Sequence, residues 1–167
     1  LTLARTGHTK QKKYLERLGD SITSLRNRPG AAVQSLSASS YDAWIKFNKS
    51  TPDDVNSTVS FYSKGALVSF LLDLDIRRRS NGAATLDDVM REMFIRYPLA
   101  GGGYTTANLI EVVEELAGGE FDAFFDAYVS GTARLPFEEM LGVVGLDLVF
   151  EYADEDDPSD APYIGLD

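Results

Sequence analysis

Apolar residues recur every three to four positions along most of this 167-residue chain, which is the spacing of one face of an α-helix. The longest such stretch, Thr58 to Arg79, predicts a central helix with a cap at residues 56–58 and a left-handed stop at Asn81-Gly82. Arginines close this helix, where the negative end of the helix dipole favours cations. The predicted inward stripe is Val59, Tyr62, Ala66, Leu67, Phe70, Leu71 and Leu74.

The same period predicts further helices on both sides of the central one. They cover residues 9–26, 41–47, 85–97, 105–117 and 121–130, and a last short helix opens at residue 135. Trp44 is expected to anchor the second of these helices in the core. Residues 31–40 show no period and predict an extended loop, while residues 145–150 alternate like a short strand. About six helices joined by loops of ordinary length predict an all-α bundle for residues 1–150.

The net charge of −10 is concentrated at the C-terminus. Residues 151–167 contain seven acidic groups and no lysine or arginine, which leaves 19 acidic and 16 basic residues in the rest of the chain. Basic residues dispersed in this way do not make the surface of a nucleic-acid-binding protein, so no nucleic-acid partner is expected. Residues 151–161 have too few apolar groups to pack and predict an acidic linker. Residues 162–167 regain strand-like character and predict the start of another domain.

The length of the chain suits one domain, and no apolar run is long enough for a membrane span. We therefore expect a soluble protein with no membrane partner. The absence of cysteine leaves the compartment open, either cytoplasmic or periplasmic. The chain begins at Leu1 within what resembles the last turns of a helix closed by Gly7, so we expect an excerpt of a longer protein, truncated at both ends.

Most candidate catalytic or metal-binding groups are isolated in the sequence. A hydrolytic zinc site needs three protein ligands, whereas His8 is the only histidine, so a solvated loop position is expected for it and no metal site is expected within the chain. The carboxylates of residues 154–157 lack the pattern of a calcium loop, and the glycines at 101–103 lack the lysine of a phosphate-binding loop. No G-x-S-x-G motif is present to supply a serine nucleophile.

Tyr62 is the remaining candidate for catalysis, and two interpretations of it stay open. Its spacing is that of a core tyrosine on the inward stripe of the central helix. Alternatively, its phenol projects into a cleft at the start of that helix and donates a hydrogen bond to an oxyanion. Lys64 lies two residues further on and therefore points away from Tyr62, which favours a structural role for the lysine.

Several blocks of sequence, in a consistent order, resemble the glycyl aminopeptidase family of zinc metallopeptidases over about residues 1–150. The blocks are GAAVQSLSASSYDAWIKF, TVSFYSKGALVSFLLDLDIRRRSNG, TLDDVMREMF, GGGYT and FFDAYVSGTARLPFEEMLGVVGLDL. The Y-x-K-G pattern also resembles that of the wider group of thermolysin-like (gluzincin) aminopeptidases. In those enzymes the tyrosine of this motif stabilises the tetrahedral intermediate, and the matching position here is Tyr62. The resemblance implies that residues 1–150 are the C-terminal helical half of a catalytic domain.

The resemblance also implies a zinc cofactor that this chain does not bind. In the family an H-E-x-x-H helix and a glutamate ligand lie upstream of the region that Leu1 opens, so zinc would be held by residues preceding this chain. The complete enzyme would release small N-terminal residues, glycine or alanine, from peptide substrates, and the chain alone would be inactive. Family members commonly continue into a PDZ domain, whose first strand residues 162–167 resemble.

A non-catalytic helical interaction or scaffold domain, in which Tyr62 is merely packed, is the alternative function. The partner that the resemblance implies is the zinc-bearing half of the catalytic domain. We expect the surface that meets this half to be apolar and exposed in this chain, which favours self-association.

Overall fold

The computed structural model describes residues 6–47 and 51–150. Over these ranges it contains eight α-helices and no strand, which confirms the predicted all-α class. The helices are α1 (Gln11–Arg26), α2 (Leu36–Tyr41), α3 (Asp54–Ser57), α4 (Phe61–Arg79), α5 (Leu86–Arg96), α6 (Thr106–Ala117), α7 (Asp122–Phe125) and α8 (Phe137–Gly142). Short 3₁₀ turns occur at Pro29–Ala32 and Leu99–Gly101, and π-helical turns at Ala43–Phe47 and Asp126–Ser130.

Helix α4 is the centre of the bundle, because α1, α2, α5, α6 and α8 all pack against it. Every side chain from Leu71 to Ile76 is buried, so this part of the helix is enclosed on all sides. The surrounding core takes Ile22 from α1, Val89 from α5 and Phe137 from α8. Burial of this kind, rather than intrinsic helix propensity, stabilises most helices in globular proteins.

The ends of the helices follow local capping rules. Helix α4 begins at Phe61, three residues later than predicted, because residues 54–57 form the separate turn of α3 and the Oγ of Ser60 is the N-cap. The predicted stop is confirmed, since Asn81 and Gly82 both have positive φ, 52° and 81°. Helix α5 starts with a capping box in which Thr85 and Asp88 satisfy each other's backbone N–H groups.

Two predictions between α1 and α4 are wrong. The extended loop predicted for residues 31–40 contains half of a 3₁₀ turn and five of the six residues of α2, whose N-cap Ser35 accepts a hydrogen bond from the N–H of Ala38 at 3.1 Å. The small polar residues of α2 have no apolar period, and the helix is held by its packing on α4. Trp44 does not anchor the core, since it is 90% exposed on a π-helical turn.

The strand predicted at residues 145–150 does not form, although its alternation is present in the structure. Leu146, Leu148 and Phe150 are half-buried against the core, while Asp147 and Val149 are exposed. A strand needs a neighbour for its backbone hydrogen bonds, and residues 6–47 and 51–150 supply none. The segment therefore lies on the bundle as a single extended chain.

The predicted acidic linker, 151–161, and the predicted start of a further domain, 162–167, lie outside the described residues. None of the helices in the described part of the chain combines the length and the apolar character that a membrane crossing needs. Several large apolar side chains are exposed, including Phe94, Ile95 and Leu99. Self-association of the chain stays a prediction.

Candidate active site

Tyr62 lies at the second position of α4, in the first turn of the central helix. Its side chain is 66% exposed, so the interpretation as a core tyrosine is wrong. The ring contacts that of Phe61, with the ring centroids 4.1 Å apart. An exposed phenol at the surface end of a buried helix is accessible to a substrate, as the catalytic interpretation requires.

The backbone just before this turn is held by two buried polar side chains. The N–H of Val59 donates to the Oε1 of Gln34 at 3.0 Å, and the Oγ of Ser39 donates to the carbonyl of Val59. Val59 itself is buried. Both polar groups of one backbone unit are therefore satisfied inside the protein, which orients the chain that leads into α4.

Arg28 and Gly30 hold the neighbouring residue, Thr58. The Nε of Arg28 donates to the carbonyl of Thr58 at 2.6 Å, and its Nη2 donates to the carbonyl of Asp54 at 3.1 Å. A Cβ at Gly30 would lie 2.2 Å from the Thr58 carbonyl oxygen, so only glycine permits this close approach. The contacts of Thr58 and Val59 thus form a support that fixes the backbone leading into the first turn of α4, on which Tyr62 lies.

A cavity of about 240 Å³ opens beside this support. It is lined at its polar part by Lys46, Asp54 and Ser60. Tyr62 is not among its lining residues, so this cavity is not a cleft into which the phenol projects.

The burial of Lys64 was not predicted from the sequence. This residue is only 2% exposed, and its Nζ has no hydrogen-bond partner within the described residues. Burial lowers the pKa of this ammonium group from its ordinary value. Two residues turn a helix by about 200°, so Lys64 faces the interior on the side opposite to Tyr62. The prediction that the two side chains diverge is confirmed, but Tyr62 is the outward one.

The sequence contains a signal for the burial of Lys64 that the predicted stripe missed. Lys64 precedes Leu67, Val68 and Leu71 by three, four and seven positions, and all three are buried. This is the spacing of one helix face. A lysine in line with three buried aliphatic residues is expected to have its ammonium group inside the protein, where it needs a partner.

The described residues do not fit a zinc site. No group of three or more histidine, cysteine, aspartate or glutamate side chains within residues 6–47 and 51–150 is arranged to hold a metal ion. His8 is exposed, with its Nδ1 3.0 Å from the Oγ1 of Thr6. The acidic residues 154–157 lie outside the described ranges.

The fold of this chain occurs in a solved aminopeptidase. It is similar to the crystal structure of the aminopeptidase N family protein from Idiomarina loihiensis, with a TM-score of 0.78 and 31% sequence identity. The alignment covers 84% of this chain and 24% of the other, so the chain spans about a quarter of the length of that protein. No relative was found among the curated proteins.

Residues 1–68, which include Tyr62 and Lys64, match the M61 glycyl aminopeptidase family. Together with the shared aminopeptidase fold, this match confirms the predicted resemblance to the glycyl aminopeptidase family and supports a fragment of such a peptidase.

Proposed function

We propose that this chain is part of a zinc-dependent aminopeptidase that hydrolyses the peptide bond after a small N-terminal residue, glycine or alanine. Tyr62 donates a hydrogen bond from its phenol to the oxyanion that forms when the peptide carbonyl is attacked. The observation that carries the proposal is the exposure of Tyr62 within the segment that matches the family. The O–H of a phenol is a hydrogen-bond donor, so Tyr62 has the group that such a bond needs.

The support beneath Tyr62 favours a catalytic role over a merely exposed tyrosine. An oxyanion donor acts through preorganisation, because its position must not change while charge develops on the substrate. The hydrogen bonds from Gln34 and Ser39 to Val59, and the contact of Gly30 with Thr58, fix the backbone on which Tyr62 stands. Deleting one donor of this type typically lowers turnover about 10²–10³-fold.

The metal belongs to a different part of the proposed enzyme. No group of three candidate ligands within residues 6–47 and 51–150 is arranged to hold a metal ion, so the proposal assigns the zinc to residues outside these ranges and expects no peptide hydrolysis without them. Zinc, bound by residues outside the described ranges, would supply Lewis-acid chemistry at the scissile carbonyl. The family match supports the preference for glycine, and the sequence resemblance alone extends it to alanine.

The test is the Tyr62→Phe variant of the active enzyme that contains this chain, assayed for release of glycine and alanine from aminoacyl-p-nitroanilides. Only a hydroxyl is removed from an exposed position, so we expect an unchanged fold and a turnover lowered by about 10²–10³-fold. The matched control is Tyr104→Phe, since Tyr104 is 61% exposed and its ring also contacts a neighbouring aromatic ring.

Equal turnover in the Tyr62→Phe variant and the Tyr104→Phe control would remove the catalytic role of Tyr62. If the parental protein itself released no amino acid, the alternative of a helical interaction or scaffold domain would replace the aminopeptidase proposal.

A further inference from the structure

A second cavity, of about 380 Å³, lies on the side of α4 opposite to Tyr62. Its walls are the end of α1, the turn after it, Lys64 of α4, the loop at residues 132–135, and Phe137 of α8. This volume falls within the range of small-ligand sites in proteins.

The walls of this cavity carry cationic side chains and no acidic one. Arg26, Arg28, Lys64 and Arg134 line it, although the chain as a whole has a net charge of −10. Cations gathered at one place on an acidic chain produce a local field that attracts anions.

The neutralisation of these cations is incomplete. Glu138, which is half exposed, lies 2.9 Å from Arg26 and 3.7 Å from Arg134, so two guanidinium groups share one carboxylate. Arg28 donates to carbonyl and hydroxyl oxygens of Asp54 and Thr58, which carry no charge. The Nζ of Lys64 is buried with no partner in the described part of the chain.

A buried ammonium group without a partner is costly, and it gains much from an anion that enters its surroundings. The four-carbon stem of lysine is flexible, so the ammonium group is able to turn toward an anion in the cavity. The arginines at the walls present planar forks that match the oxygens of a carboxylate or a phosphate.

We propose that this cavity is a binding site for a small organic anion whose compact oxyanion group, a carboxylate or a phosphate, pairs with Lys64. The arginine side chains bind the outer part of the ligand. The site goes beyond the proposed peptidase function, since it lies across α4 from Tyr62 and takes no part in the hydrolysis.

The experiment is a titration of the ¹⁵N-labelled 167-residue chain with inorganic phosphate and, separately, with acetate, followed by NMR. We expect saturable shifts of the backbone amides around the cavity at anion concentrations up to about 20 mM. The anion that binds more tightly identifies the phosphate or the carboxylate as the preferred group. Titrating the ¹³Cε signal of Lys64 with pH gives a second readout, because a bound anion raises the pKa of this amine.

The decisive variant is Lys64→Met, which keeps the length and the apolar stem of the side chain and removes the charge. We expect its affinity for the preferred anion to fall about tenfold or more, whereas the exposed control Lys13→Met binds as the parent does. Equal affinity of Lys64→Met and the parent for the preferred anion would overturn the proposal, because the anion would then be bound by surface arginines alone. Absence of saturable shifts with both anions would overturn it as well. No catalysis is measured, so failure here leaves the proposal for Tyr62 untouched.

Discussion

The two halves of α4 bury charge in opposite ways. Near its C-terminal end, Asp73 and Asp75 are 6% and 4% exposed, and each is paired with arginines one turn further along. Near its N-terminal end, Lys64 is buried as deeply, yet no group in residues 6–47 or 51–150 pairs with it.

Each carboxylate oxygen of Asp73 and Asp75 accepts a hydrogen bond. The Oδ2 of Asp73 lies 2.9 Å from the Nε of Arg77, and its Oδ1 accepts from the N–H of Leu86 at 2.8 Å, which ties α4 to the start of α5. Asp75 accepts from Arg78 at 2.6 Å and from Arg79 at 3.2 Å. The guanidinium groups remain partly exposed, so water solvates the cations while the protein satisfies the buried anions.

The buried charges of Asp73 and Asp75 have a structural role, whereas the buried charge of Lys64 is available to a ligand. A buried ion whose partners are built into the fold is destabilising to remove, because its partners lose their bonds. A buried ion without partners is destabilising to keep, and folded proteins retain such groups chiefly at functional sites. The comparison therefore predicts stability changes of opposite sign at the two ends of one helix.

The largest expected effect is at the paired end. Asp73→Ala removes the acceptor of the Leu86 N–H and the partner of Arg77, and we expect the free energy of unfolding to fall by about 2–3 kcal/mol. The side chain of Arg77 is 37% exposed, which keeps the loss below that of a wholly buried pair. Urea unfolding measures the change, with Asp20→Ala on the exposed face of α1 as control. An equal, small change in both variants would contradict a structural role for Asp73.

A smaller effect of opposite sign is expected at the unpaired end. Lys64→Met removes a buried charge that lacks a partner, so in a buffer without phosphate or carboxylate we expect the free energy of unfolding to rise by about 1 kcal/mol. The exposed control Lys13→Met is expected to change it by less than about 0.5 kcal/mol. Marked destabilisation by Lys64→Met would show that the ammonium group has a partner in the folded chain, and the contrast between the two ends would fail.

The smallest expected effect is a pH dependence of the difference in stability between Lys64→Met and the parent. Burial holds the pKa of Lys64 in the folded chain below the ordinary value of 10.5. Between the folded-state pKa and 10.5, the unfolded chain binds more protons than the folded chain, so the free energy of unfolding rises with pH. The stabilisation by Lys64→Met is therefore complete below the folded-state pKa and shrinks as pH rises toward 10.5. The charged groups that face Lys64 across the cavity are Arg26, Arg28 and Arg134, and Glu138 pairs with the first and the last of them.

Urea unfolding of the parent and of Lys64→Met, from neutral pH to pH 10.5, measures this dependence. A difference in stability that stays constant over the whole range would show that the pKa of Lys64 is the same in the folded and unfolded chains.

The sequence located the candidate site but left open whether Tyr62 is packed in the core or exposed, and it did not predict the burial of Lys64. The Y-x-K-G pattern identified Tyr62, and helix geometry correctly separated it from Lys64. The predicted stripe then placed Tyr62 inward together with Leu67 and Leu71, although five and nine residues turn a helix by about 140° and 180°, away from these two leucines. In the structure Lys64 continues the buried face formed by Leu67 and Leu71, and the ring of Tyr62 lies at the surface.

Other features of the site depend on contacts between residues distant in sequence. The hydrogen bonds of Gln34 and Ser39 to Val59 span 25 and 20 residues, and the approach of Gly30 to Thr58 spans a similar distance. The residues of α2 have no apolar period that would predict a helix, and the packing of this segment on α4 decides its conformation. No pattern in neighbouring residues encodes these contacts.

By itself the sequence determined the helical class, the long central helix, most of the helix ends and the family, because periodicity and capping act over three or four residues and motifs are read directly. Only the tertiary structure decided which side of the first turn of α4 is covered. A helix turns its side chains through a full circle, and the packing of α1, the turn at Pro29–Ala32 and α8 selects which of them lose contact with water. That selection buries Lys64 beside a cavity and leaves Tyr62 exposed.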